Sequence, residues 1–181
     1  MENGWYICNV NTPTGAWWYV FTAANYSNAV IVQKAWYYNS GKVIECMRLG
    51  WLDVSVDRGG GWQPWEYVTP PMALNTEYRT TERYMGKPVY AKLVNCEALP
   101  NAGYKTVSVG VSGLEKVIDV SGCAIDAHND DFYSIPATNF SSSVHNVGLY
   151  VTGSQAIAIS TQSDRSSYNA YVKVKYTKTT D

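Results

Sequence analysis

The chain has 181 residues, and its 14 Lys and Arg stand against 15 Asp and Glu for a net charge of −1. That length suffices for one ordinary core or two small ones. The scattered, nearly balanced charges form no basic stripe, which argues against a nucleic-acid partner. Every apolar run is interrupted by Asn, Lys, Gly or Ser before it is long enough to span a membrane, so no membrane partner is expected.

All seven tryptophans, Trp5, Trp17, Trp18, Trp36, Trp51, Trp62 and Trp65, lie in the first 65 residues. A segment that short needs large rigid aromatics for its buried area, whereas the rest relies on Val, Ile, Leu and Tyr, so two domains are expected. The expected division is a small aromatic-rich β domain over 1–68, a linker over 69–85 that carries the Thr69-Pro70-Pro71 break, and a second β domain over 86–181.

Helix spacing of apolar residues is absent, which predicts an all-β chain. In the first domain the expected strands run from Trp5 to Val10, Trp17 to Phe21, Ala29 to Trp36, Val43 to Leu49 and Trp65 to Val68. Thr12-Pro13-Thr14-Gly15, Asn39-Ser40-Gly41 and Arg58-Gly59-Gly60-Gly61 supply turns, giving a meander of hairpins. Trp5, Trp36, Trp62 and Trp65 are expected inside. Successive strand residues point to opposite faces, so Trp17-Trp18-Tyr19 and Trp36-Tyr37-Tyr38 each place at least one ring in the core.

The second domain alternates with a period of two. Val107, Val109 and Val111, then Ile157 and Ile159, then Val172, Val174 and Tyr176 fall on one face each. With Val89 to Val94, Lys116 to Val120 and Val147 to Thr152, the pattern predicts an antiparallel β-sandwich. The stretch from Ala124 to Val144 breaks the pattern and reads as a long polar loop.

Cys8, Cys46, Cys96 and Cys123 are widely spaced and only two histidines accompany them, so they read as buried free thiols rather than zinc ligands. Asp126, His128, Asp130 and Asp131 lack the Gly and closing Glu of a calcium loop. No metal or cofactor is expected. Neither His128 nor His145 accompanies a G-x-S-x-G elbow, and no enzymatic activity is expected.

Several blocks in order resemble a known family: Gly86-Lys87-Pro88-Val89-Tyr90, Ala98-Leu99-Pro100-Asn101, Val107 to Val111 with Ser112-Gly113-Leu114, Asp164-Arg165-Ser166 and the ending Tyr176-Thr177-Lys178-Thr179-Thr180-Asp181. Over most of residues 77–181 they resemble the C-terminal head of phage tail fibre proteins. Upstream, Gly4-Trp5-Tyr6, Gln33, Arg48 and Trp62-Gln63-Pro64-Trp65 are similar to the pyocin-knob module of tail fibres and tail-like bacteriocins. Gly50 to Arg58 departs from that pattern as a longer link.

The resemblance implies the tip of a tail fibre, in a phage, prophage or tail-like particle, that binds a bacterial surface receptor, a glycan ahead of a protein. It also implies a homotrimer joined to an upstream fibre shaft, assembled in the host cytoplasm and carried on the virion. Met1-Glu2-Asn3-Gly4-Trp5 leads directly into strand-like sequence, and the chain is expected to be a fragment whose upstream part is missing. A carbohydrate-binding module of a secreted bacterial protein and a purely structural trimer cap are the alternatives.

Aromatic rings stack on pyranose C–H faces while carboxylates, amides and guanidinium groups fix hydroxyls. By that chemistry, and because loops on a rigid scaffold carry recognition, the receptor-binding candidates are Asp126, His128, Asn129, Asp130, Asp131 and Tyr133 of the polar loop. Trp51, Asp53, Asp57 and Arg58 of the longer link follow.

Overall fold

The computed structural model describes residues 3–25, 30–37, 44–51, 61–128, 131–138 and 146–181. The fold is all-β: among the described residues there are fourteen strands and no helix. The chain divides into two compact units, residues 1–71 with 78–82, and residues 72–77 with 83–181.

In the first unit β1 (Gly4–Cys8), β2 (Trp18–Asn25), β3 (Val30–Tyr37) and β4 (Glu45–Trp51) form an antiparallel meander. Two short strands, β5 (Gly61–Trp62) and β6 (Glu66–Tyr67), both pair with β4. Tyr67 then pairs in parallel with Thr80 of β7 (Glu77–Tyr84). The segment read from sequence as a linker therefore contains a strand.

Register and pleat sort the side chains. Trp18, Val20, Thr22, Ile31, Gln33, Ala35 and Cys46 fall on one face and are all buried. The other face carries Trp5, Tyr19 and Leu49, which are exposed, and the half-buried Trp36. Trp5, expected inside, is 64% exposed and rests on Phe21 and Trp36, with ring centroids 5.2 and 5.3 Å away. The reason is parity: Trp5 pairs with Phe21 and so shares the face opposite Trp18. Trp36, Trp62 and Trp65 are half-buried.

The second unit has two sheets. β8 (Lys87–Ala98), β14 (Tyr168–Lys178), β10 (Leu114–Asp126) and β11 (Phe132–Ile135) pair antiparallel in that order. β12 (Val147–Val151), β13 (Ala156–Thr161) and β9 (Tyr104–Ser108) form the smaller antiparallel sheet. Val94, Cys96, Val172, Val174 and Ile135 from the first meet Ile157, Ile159 and Val147 from the second in one core, which makes a β-sandwich.

The polar loop expected from Ala124 to Val144 is shorter than the sequence suggested. β10 runs on to Asp126, and Phe132–Ile135 returns along it with Tyr133 opposite Ala124. Alternation explains the return strand: Tyr133 is half-buried and Ile135 buried, while Phe132 and Ser134 face solvent.

The family-like ending is a clamp. The hydroxyl of the fully buried Tyr176 donates to Glu77, and Lys178 Nζ bonds the other carboxylate oxygen at 2.6 Å. Burial and the Glu77 carboxylate push the Tyr176 phenol far above its usual range.

Candidate functional site

Candidate site residues fall in two places, one in each unit. In the second, Asp126 closes β10 and is buried. Its Oδ1 accepts the backbone N–H of His128 at 2.8 Å and lies 3.2 Å from His128 Nδ1, and its Oδ2 accepts the Ser167 hydroxyl at 3.3 Å. This is an Asx turn. The His128 backbone N–H, outweighing the opposing effect of burial, holds the carboxyl below the usual aspartate range. Asp126 spends its charge on shaping the turn.

Tyr133 is also inward. Its ring packs edge-on to Tyr168 at 5.2 Å, and its hydroxyl is buried with no hydrogen-bond partner among the described residues. Burial pushes that phenol up, with Arg165 opposing. Among the described residues of this turn, Ala127, His128 (side chain 80% exposed), Asp131 and Phe132 face water. Asn129 and Asp130 lie outside the described residues.

In the first unit, Trp51 is half-buried at the end of β4 opposite Gly61. It is a strand residue rather than part of a loop. Asp53, Asp57 and Arg58 lie outside the described residues.

Four other residues of this unit converge, as their order in the sequence did not disclose. Gln33 and Arg48 are register partners on β3 and β4, and the Arg48 Nε–H donates to Gln33 Oε1 at 2.8 Å. Gln33 is buried and its amide donates to the buried Thr22 hydroxyl at 3.0 Å. The Arg48 guanidinium carbon sits 4.2 Å from the ring centre of Trp62 and 4.3 Å from that of Trp65. Such cation–π contacts are each worth about 0.5–2 kcal/mol, more as water is excluded.

Glycine fixes the Trp62 wall: a Cβ on Gly50 would stand 2.6 Å from the indole, so a larger residue there displaces the ring. Trp65 is held by its Nε1–H donating to the Asn11 carbonyl at 2.9 Å. Burial lowers the Arg48 pKa to about 10, which still leaves the group charged at neutral pH. Among the described residues no carboxylate pairs with it.

Beside this cluster is a cavity of about 190 Å³ lined by Tyr6, Cys8, Gln33, Arg48, Trp62 and Trp65 among others. The Cys8 thiol is pushed up by burial, against the pull of Arg48, and is protonated at neutral pH. Cys8, Cys46, Cys96 and Cys123 are free thiols. No cluster of His, Cys, Asp and Glu suited to a metal ion occurs among the described residues.

No family model matches the chain. No curated protein matches it either. Among solved structures, the selenomethionine structure of an N-truncated R2-type pyocin tail fiber is similar over 96% of this chain and 91% of its own, at 11% identity and a TM-score of 0.30. A likeness at that score carries no argument about fold or activity.

Proposed function

We propose that this chain is the host-facing tip of a phage-type tail fibre, in which the first unit is a pyocin-knob-like domain and the second a head that binds a bacterial surface receptor, with a glycan as its ligand class. The observation that carries the reading is the convergence of the knob-like motif. Gln33, Arg48, Trp62 and Trp65 belong to the knob-like resemblance, and the other three meet around the Arg48 guanidinium. A chance match of aromatic hairpins has no reason to assemble in this way.

The head-like ending supports the same reading, since Tyr176 and Lys178 both hold Glu77. Receptor contact falls to the turn after β10, where His128, Asp131 and Phe132 are exposed on a scaffold tightened by Asp126 and Tyr133. A homotrimer fits the exposed Trp5, Ile7, Tyr19 and Leu49, apolar residues of the kind that subunit contacts cover.

The test is binding of the labelled chain to a panel of bacterial cells. A His128→Ala, Asp131→Ala, Phe132→Ala variant should lose binding while its melting temperature stays close to that of the parent, because exposed substitutions cost under about 0.5 kcal/mol each. Light scattering of the same samples should give three-chain mass. Unchanged cell binding by the variant removes the turn as the receptor site.

A further inference from the structure

Among its described residues, the turn after β10 offers a receptor an exposed imidazole, the Asp131 carboxylate and a single aromatic ring. A preorganised cation lies in the first unit. Arg48 is held on one edge by Gln33 and in contact with two indoles, and it lines a cavity. A guanidinium has five N–H donors. Among the described residues, the Nε–H bond to Gln33 is the hydrogen bond it makes to a side chain.

Arg48 is half-buried, and a cation drawn out of water commonly has an acid beside it, because desolvating an unpaired charge is costly. Among the described residues the neighbours are neutral: an amide, a protonated thiol and aromatic rings. Gln33 is the informative one. A glutamate there would neutralise Arg48 in place with almost the same shape, yet the position carries an amide that orients the guanidinium and leaves its charge available. From these observations, and resting on the reading of the chain as a glycan-binding tip, we propose that the Arg48 cavity binds the carboxylate of an acidic sugar residue of the bacterial surface glycan.

Size and lining agree with this. The cavity is smaller than the roughly 300–1,000 Å³ that drug-sized ligands occupy, so it takes one terminal unit of a longer chain. Its lining is mostly apolar, with Tyr6, Trp62 and Trp65 offering ring surface to sugar C–H groups. A planar guanidinium with free N–H edges pairs with a planar carboxylate through two parallel hydrogen bonds. Ring walls on the guanidinium also favour a flat acid over a tetrahedral phosphate.

The experiment follows the indole N–H signals of Trp62 and Trp65 and the Arg48 Nε–H signal by NMR on the full chain. D-galacturonate, D-galactose and inorganic phosphate are titrated separately at neutral pH. The expected result is a saturable shift of these three signals with D-galacturonate, with binding weaker by at least about tenfold for D-galactose, which lacks the charge-assisted bidentate pair, and weaker for phosphate, which has no C–H face to lay on the indole rings. Arg48→Gln should abolish the shift. Because that change removes the partner of both indoles, Gln33→Glu provides the second variant: it keeps the packing, gives Arg48 an internal carboxylate and should abolish the D-galacturonate response at an unlowered melting temperature.

No saturable response to D-galacturonate, an equal response to phosphate, or a response that survives in Gln33→Glu would each overturn the proposal. Cell binding separates it from the reading it rests on. A chain that binds cells but not D-galacturonate loses only the Arg48 site, whereas one that titrates with D-galacturonate but binds no bacterium loses the receptor-binding role.

Discussion

Asp126 illustrates how a residue's chemistry and its role diverge. An acid among His128, Asn129, Asp130 and Asp131 reads as part of a polar, ligand-facing loop. Its carboxylate instead accepts the His128 N–H two residues on, together with the Ser167 hydroxyl from 41 residues away. The local half of that arrangement was legible, since Asp favours a turn with the residue two ahead. The remote half was not, because nothing in the sequence pairs 126 with 167. The pKa has a consequence with a definite sign. The folded carboxyl titrates below the unfolded value, so its contribution to stability is fully present above the ordinary aspartate pKa of about 3.9 and is lost as pH falls through the lower folded value. Asp126→Asn should therefore be less stable than the parent near neutral pH, and the gap should close as the pH drops below about 4. Urea denaturation at a series of pH values checks this, and a gap independent of pH would show that the charge plays no part.

At the scale of elements, the sequence displayed periodicity well and face assignment poorly. Val172, Val174 and Tyr176 alternate with Lys173 and Lys175 and are buried as the pattern requires; Ile157 and Ile159 are buried too, together with Ala158 between them. Strand β1 gave no such contrast: Trp5, Tyr6 and Ile7 are all apolar or aromatic, so parity left either face eligible for the core. Only pairing with β2 decides it. Strand β11 was hidden differently, by lying between polar runs and being only four residues long. Its pleat makes a sharp prediction about energy. Ile135 is 2% exposed in the sandwich core, whereas Phe132 of the same strand is 75% exposed. Ile135→Ala should cost about 2–5 kcal/mol, the transfer and cavity terms together. Phe132→Ala, although it removes a larger side chain, should cost about 0.5 kcal/mol or less. Urea midpoints of the two variants decide the matter, and equal losses would mean that β11 does not sit on β10 in this register.

For the molecule as a whole, the composition change near residue 68 marked two bodies but not their edge. The chain enters the second unit at Met72, returns to the first for Tyr78–Glu82, and leaves it again at Arg83. Two prolines suggested a break in pairing, and they lie in the stretch between β6 and β7. The return of β7 depends on contacts between residues too distant for a sequence pattern to reveal. Tyr78 is 5% exposed and meets the Tyr67 ring edge-on at 4.9 Å, and Arg79 bonds Glu66 at 3.0 Å with both side chains mostly buried. A fragment that stops at residue 68 keeps Glu66 and loses Arg79, its partner at 3.0 Å. Breaking a buried pair from one side costs about 3–5 kcal/mol, and in a domain of this size each kcal/mol is worth about 4–8 °C. The fragment 1–68 should thus melt at least about 10 °C below the fragment 1–84, or fail to fold, as circular dichroism at matched concentration will show. The variant Glu66→Gln in the shorter fragment should recover part of the difference, because it replaces the carboxylate parted from Arg79 by a neutral amide without restoring the Tyr78 contact. Equal melting of the two fragments would instead place the end of the first domain at residue 68 and reduce β7 to a passive tether.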